Sequence, residues 1–267
     1  MIRNINIPEE DRAALPFEHD GTAKRADSLD VAVVMPAHVS NFTDFAPLAA
    51  EPDVRLRQVR SAEEWGKPDL VILPGTKSVA ADLAVMRQAG LDELIRRHAS
   101  GGKWILGICG GLQMLGTDIL DTLHMESAEE RTPVLGLLEL STTFAASKTL
   151  LNVRRASTPL PPPAAGYEIH HGVTRHEEAC PPIMFREDGS PCGYGKGRIW
   201  ATYLHGILDG DGFRRDFINM VRKDSGLAAN PALHVSYDLD GALDRLAAIV
   251  REHLDMDAIY KILQLKR

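Results

Sequence analysis

The run "WILGICGGLQMLG" (Trp104 to Gly116) restricts the possible folds more than any other stretch of this chain. An apolar segment ends in Gly-Ile-Cys-Gly-Gly and passes without a linker into residues at helical spacing. The pattern is G-x-C-x-G, the thiol counterpart of the nucleophile elbow, in which a strand ends in a tight turn and a helix begins at once. Gly107 and Gly111 lack a Cβ, so strand end and first helical turn can approach closely around a strained central residue. Cys109 then projects from the carboxyl edge of a sheet. There the helix N-terminus offers unpaired N–H groups and partial positive charge, a field that favours thiolate.

Other segments agree with such a sheet. The runs "VAVVM" (31–35), "LVIL" (70–73), "WILGI" (104–108) and "IWATYL" (199–204) read as strands, and helical patterns fall near 43–50, 80–90, 91–100 and 111–120. Strands alternating with helices predict an α/β fold, a mostly parallel sheet flanked by helices on both faces. The middle of the chain changes character. "VLGLLEL" (134–140), "TTF", "LLNVRR" and "GYEIHHG", split by "PLPPP" (159–163), read as irregular, partly antiparallel β structure. Residues 1–28 read as an interdomain linker or tail, and 29–267 as one domain. It closes in a helical extension, "ALDRLAAIVREHLDMDAIYKILQL" (242–265), whose apolar face is expected to pack on the domain.

A thiol nucleophile needs a base and an oxyanion site. The best base is His205 in "ATYLHGILDG", delivered by an apolar strand to the same sheet edge as Cys109. In "LVILPGTKS" a buried strand ends in Pro-Gly-Thr, and the backbone N–H of Gly75 can join that of Gly110 in facing an oxyanion. Read alone, Cys109 is as readily a small buried core residue, and His205 is one of ten histidines. Three strand-end loops carrying the parts of one acyl-transfer site are more specific together than any of them singly.

The stretches "GICGGLQMLG", "LPGTKSVAADL", "GYEIHHG" and "TYLHGIL" together resemble the triad-type (class I) glutamine amidotransferase domain, in the variety found in cobyric acid synthase and its cobyrinate diamide synthase relatives. "IPEEDRAAL", "LGLLELSTTFAASKTL" (135–150) and the C-terminal helix most resemble the cobyric acid synthase type. The resemblance implies that Cys109 attacks the side-chain amide of glutamine. His205 would protonate departing ammonia and then activate water against the thioester. It also implies an oxyanion hole at Gly75 and Gly110, and glutamine contacts from Gln113, Glu168 and His170. Each of the last three also has a structural reading.

Two departures from the family pattern stand out. Many such enzymes orient the histidine with a glutamate two residues beyond it, and here that position is Ile207. The expected site is therefore a Cys–His dyad, or one in which a distant carboxylate such as Glu168 orients the ring. The chain also has no G-x-x-x-x-G-K-[ST] loop. No cofactor is expected on this domain, with ATP and Mg on an ATP-dependent synthetase partner, in cis or as a separate chain, that also holds the corrinoid acceptor. Two further readings stay open: a glutaminase subunit of a ligase that amidates a cell-wall precursor, and an amidotransferase fold kept as a non-catalytic docking module.

Composition narrows the rest. A net charge of -7 offers no basic face for nucleic acid, and no apolar run is long enough to span a bilayer. The charged N-terminal residues do not resemble a signal peptide, so a cytoplasmic location is expected. Three cysteines, Cys109, Cys180 and Cys192, read as free thiols. No Cys/His spacing suggests a metal site, and neighbouring His170 and His171 would point to opposite faces of a strand.

Overall fold

Uninterrupted runs of aliphatic residues bounded by polar turns build the centre of the computed structural model, which describes residues 27–35 and 37–264. Strands β1 (Leu29–Val34), β3 (Leu70–Leu73) and β4 (Trp104–Ile108) are buried at every position. That pattern belongs to parallel strands covered on both sides. With β2 (Val54–Val59), β9 (Pro182–Phe185), β10 (Pro191–Lys196) and β11 (Ile199–Thr202) they form a seven-stranded sheet ordered β2-β1-β3-β4-β11-β10-β9. The first five are mutually parallel, and β10 and β9 close one edge antiparallel. The carboxyl ends of β1, β3, β4 and β11 therefore share one edge of the sheet.

Helices connect and flank these strands. They are the short α1 (Ala46–Ala49), α2 (Val79–Gln88), α3 (Leu91–Ser100), α4 (Gly110–Leu115) and α5 (Asp211–Asp224). A second sheet, ordered β6-β5-β7-β8, is built from β5 (Asp118–Leu120), β6 (Arg131–Pro133), β7 (Leu140–Ala156) and β8 (Ala164–His176). The run "PLPPP" lies in the turn joining β7 and β8. Among the described residues no helix is long and apolar enough to cross a membrane, and no group of three or more His, Cys, Asp or Glu side chains is placed to hold a metal ion.

The structure corrects several expectations. The elbow helix stops at Leu115 instead of running to 120, because the following glycine turns extended and its Cα lies against the Leu140 carbonyl, with room for no side chain. Residues 118–120 then form β5. "VLGLLEL" is mostly a connection held by backbone bonds from Leu135 and Leu137 to Met114 and Leu115. "TTF" and "LLNVRR" merge into the single long strand β7, interrupted by a register shift between Thr143 and Lys148. The C-terminal extension is the pair α6 (Leu239–His253) and α7 (Met256–Ile262), but its apolar face is little covered. Ala242 is the buried residue of α6 with a described side chain, and α7 buries none. The linker expected over 1–28 falls on residues that lie, but for the last two, outside the described ones.

Several elements escaped the sequence pattern, β2 and α5 among them. Strand β2 alternates its apolar residues with Arg55 and Arg57, which pair with Asp30 on β1. Helix α5 buries Arg214, Arg215 and Arg222 beside Phe213, Phe217, Ile218 and Val221. These arginines meet Glu51, Asp53 and Asp27 at the amino ends of β1 and β2, so a face that looks polar in sequence is internal.

Candidate active site

The elbow forms because three glycines permit contacts that no side chain would. A Cβ on Gly111 would lie 1.9 Å from the Leu73 carbonyl oxygen at the end of β3, and one on Gly107 would meet Leu115 and Gly111. One on Gly110 would meet Thr76. Between these residues Cys109 is forced to φ 52°, ψ -106°, a sparsely populated conformation for a residue with a side chain. Its N–H donates to the Thr202 carbonyl on β11 at 2.8 Å, and its carbonyl accepts the Gln113 N–H that opens α4. The thiol stands at the N-terminus of that helix, 7% exposed, its Sγ 3.7 Å from the Ile169 carbonyl.

Parallel pairing of β11 with β4 brings His205 to the same edge. Its imidazole is fully buried. Nδ1 lies 2.7 Å from Asp44 Oδ2, and the Gly206 N–H donates to Asp44 Oδ1 at 2.8 Å. Burial disfavours the charged ring, but hydrogen bonds to Asp44 and to Cys109, and their charges, outweigh it and hold the imidazole well above its usual range. The Asn41 carboxamide rests against the ring edge, within 3.1 Å of both nitrogens, and the Tyr167 ring stacks on the imidazole at 5.3 Å.

Strand β8 runs over this pair as a strap. Tyr167 and His205 exchange two backbone hydrogen bonds, 2.8 and 3.0 Å, and Gly166 packs directly on the His205 carbonyl. Behind the thiol, Gln113 is buried with its amide nitrogen 3.1 Å from the His171 carbonyl and 3.4 Å from the Tyr203 hydroxyl, tying α4 to the strap. Burial pushes that hydroxyl up to about 12, and its oxygen lies 2.5 Å from Thr174 Oγ1. The His170 ring stacks on Tyr203 at 3.7 Å. Its Nε2 is 3.3 Å from Glu168, while its Nδ1 is buried without a partner.

The structure thus brings Cys109, His205, Gly75 and Gly110 together, with Gln113 behind the thiol, whereas His170 lies on Tyr203 and Glu168 beside Arg186. It does not place Glu168 on His205. Both Glu168 oxygens accept from Arg186 at 2.6 Å; burial opposes the charge, but hydrogen bonds from His170 and Arg186 keep this carboxyl below its usual range. The carboxylate at His205 is Asp44, which sequence reasoning missed; the apolar Ile207 left open a dyad or a carboxylate from elsewhere, and the one named for that place was Glu168. Cys180 and Cys192 are buried free thiols away from the elbow, and burial pushes Cys192 up to about 12.

Gly75 offers a local test. A Cβ there would sit 3.0 Å from Ser40 Oγ and 3.1 Å from His205 Cε1, and the ring, held by Asp44 and Tyr167, has little room to yield. Gly75→Ala is expected to slow any turnover at this site about tenfold or more through misplacement of the imidazole, with a melting temperature close to that of the parent. Unchanged turnover would remove Gly75 from the site.

Known proteins resemble this chain in sequence and in fold. Residues 30–213 match the model of the CobB/CobQ-like glutamine amidotransferase domain. The adenosylcobalamin biosynthesis bifunctional protein CobDQ of Leptospira interrogans is 40% identical over 99% of this chain and 31% of its own length. The cobyric acid synthase of Clostridium tetani is 37% identical over 96% of this chain and 52% of its own. The chain therefore spans about half or less of these relatives. Among solved structures, a glutamine amidotransferase aligns with a TM-score of 0.55 at 17% identity, covering 72% of this chain and 98% of its own, and PurLQS from Thermotoga maritima aligns with 0.55 at 16%, covering 73% and 99%. At that identity the likeness concerns the fold alone, an α/β architecture shared with these two proteins. On the strength of the family match, the chain belongs to the CobB/CobQ-like glutamine amidotransferase domain family.

Proposed function

We propose that this chain is the glutaminase half of a cobyric-acid-synthase-type amide ligase. It would hydrolyse glutamine through a Cys109 thioester and deliver ammonia to an ATP-dependent synthetase partner that amidates corrinoid side-chain carboxylates. The observation that carries the reading is the strained Cys109 elbow at the same sheet edge as the buried His205 imidazole, whose Nδ1 is held by a carboxylate.

The chemistry follows from that pair. The Cys109 thiolate adds to the side-chain carbonyl carbon of glutamine, and the oxygen takes up negative charge facing the backbone of Gly75 and Gly110. As the tetrahedral adduct collapses, the His205 imidazolium gives its proton to the departing nitrogen, so ammonia leaves and a glutamyl thioester remains. The neutral imidazole then takes a proton from water, hydroxide adds to the thioester, and glutamate departs as the thiolate returns. Strap β8 shields the pair from bulk solvent, which strengthens each electrostatic contact within. ATP and Mg belong to the partner, where a carboxylate is activated for attack by ammonia, and such a reaction belongs in the cytoplasm. Support for this acceptor comes from the relatives named for cobyric acid synthesis.

The test is reconstitution. This chain is mixed with a cobyric-type ATP-binding synthetase domain, ATP, magnesium, glutamine and a corrinoid bearing free carboxylates, and products are followed by mass. Successive amidations are expected. Amidation with ammonium salts but none with glutamine would end the glutaminase reading. The same assay has a pH signature. Because His205 is held charged above the ordinary 6.5 of a histidine, the loss of activity that follows loss of its proton is expected on the alkaline side of neutrality. A fall centred near 6.5 would show that the ring titrates freely.

A further inference from the structure

We propose that Asp44 is a positioning residue of this site, the carboxylate that fixes the orientation, tautomer and charge of His205 from the loop that follows β1. The proposal rests on the glutaminase reading for its kinetic consequence, but not for its structural one.

An imidazole paired only with a thiol keeps two freedoms, rotation of the ring and choice of protonated nitrogen. Either can turn a base away from its nucleophile. The residue two positions after His205 cannot restrain it, since Ile207 is apolar and buried. Asp44, 161 residues earlier in the chain, does so with both oxygens: Oδ2 at 2.7 Å from Nδ1, and Oδ1 accepting the N–H of Gly206. The second contact ties the acid to the backbone next to the histidine, so ring and carboxylate hold one relative position. With the Nδ1 proton committed to Asp44, Nε2 is the nitrogen left to face the thiol.

Burial argues that the contact is more than incidental. The side chains of Asp44 and His205 are 1% and 0% exposed, and a carboxylate taken out of water is costly unless a charge or good donors compensate it. The nearby guanidinium of Arg214 is bound to Glu51, Asp211 and the carbonyls of Leu208, Asp209 and Val235. The imidazolium is thus the cation that faces Asp44.

The loop that carries the acid is itself anchored to the oxyanion segment. Asn41 adopts the left-handed conformation, φ 54°, and opens a 3-10 turn over Phe42–Phe45 that aims Asp44 inward. Just before it, the Ser40 N–H donates to the Gly75 carbonyl at 2.9 Å, the Lys77 N–H donates to the His38 carbonyl at 3.0 Å, and Val39 bridges Thr76. One short loop therefore sets both the acid behind the imidazole and the segment expected to receive the oxyanion. The groups facing His205 are Asp44, Cys109, Asn41 and the Tyr167 ring. Behind Asp44 stands Asp209, whose carboxyl burial and the Asp44 charge push up to about 7, with Arg214 opposing.

Asp44→Asn separates positioning from packing because it preserves shape. Asparagine has one acceptor oxygen for two donors, Nδ1–H and the Gly206 N–H. If the oxygen serves Gly206, its amide N–H faces Nδ1 and moves the ring proton to Nε2, the wrong tautomer for a base. Two measurements on the full chain test this. With the synthetase partner present, glutamine-dependent kcat is expected to fall about a thousandfold, on the scale seen when the acid of a hydrolytic triad is neutralised, with KM for glutamine nearly unchanged and partial rescue in Asp44→Glu. On the chain alone, nitrogen NMR of labelled histidine should find the His205 titration shifted to lower pH in Asp44→Asn. A variant that keeps kcat within about threefold, with an unshifted titration, overturns the proposal, as does one that loses stability alone. If the parent chain turns over no glutamine while the titration still shifts, the glutaminase reading has failed and the positioning role of Asp44 stands.

Discussion

Cys109→Ser is expected to abolish glutamine-dependent amidation while leaving amidation from ammonium salts at the parental rate. The expected loss is at least about 10⁴-fold in kcat, on the scale of nucleophile removal in hydrolytic sites. Serine fits the elbow, since the backbone conformation at Cys109 is imposed by glycine contacts on either side and not by the thiol. The defect should therefore be chemical, because a serine hydroxyl is a far weaker nucleophile than a cysteine thiol. Equal loss of glutamine- and ammonium-driven activity, measured in the reconstituted ligase, would contradict the division of labour between the two halves.

The largest effect on stability is expected away from the chemistry, at Arg214. Its guanidinium is fully buried and bonded to Glu51 at 2.8 Å, Asp211 at 2.8 Å, and the carbonyls of Leu208, Asp209 and Val235. Arg214→Ala leaves the buried Glu51 carboxylate with Arg215 alone, at 3.0 Å, and strands two carbonyls in the turn that follows His205. Breaking a buried pair by removing one partner costs about 3–5 kcal/mol, which for a chain of this size lowers the melting temperature by about 10 °C. Replacing Arg214 and Glu51 together by methionine should recover much of that loss, because the buried pair leaves together, Arg215 keeps Asp53, and Asp211 is half exposed to water. Calorimetry checks both. A loss as large in the double variant would mean that the contribution comes from the shape of the arginine and not from its charge.

These two sites also mark where sequence reasoning succeeds and fails. The elbow is legible because its constraint is local: three glycines and a cysteine within five residues can satisfy only one geometry. His205 is legible because an apolar strand followed by glycine ends where the elbow ends, once the sheet is parallel. Asp44 is not legible. It sits in "SNFTDF", which has no period, and its relation to His205 comes from the parallel order β1, β3, β4, β11, which no local pattern encodes. Glu168 stood out as a candidate acid because it lies in a motif, yet Arg186, in the loop between β9 and β10, claims it. Helix α5 was hidden for a related reason. Arginine is almost never fully buried unless paired, and the partners Glu51 and Asp53 lie far away in the chain. At the C-terminus the amphipathic pattern of α6 was read as a packed face, but an apolar stripe states only what could be covered.

The site is assembled from segments distant in the chain, and that has a consequence in time. The thiol at position 109 leaves the ribosome well before its imidazole. At about 5–20 residues per second, the roughly hundred residues between Cys109 and His205 take about 5–20 s to synthesise. During that interval β4 lacks β11 as its neighbour, the Cys109 N–H lacks the Thr202 carbonyl, and strap β8 is itself unfinished. The elbow cysteine therefore spends that interval in an incomplete sheet, and its contacts with β11 and with His205 form only when the last parallel strand docks.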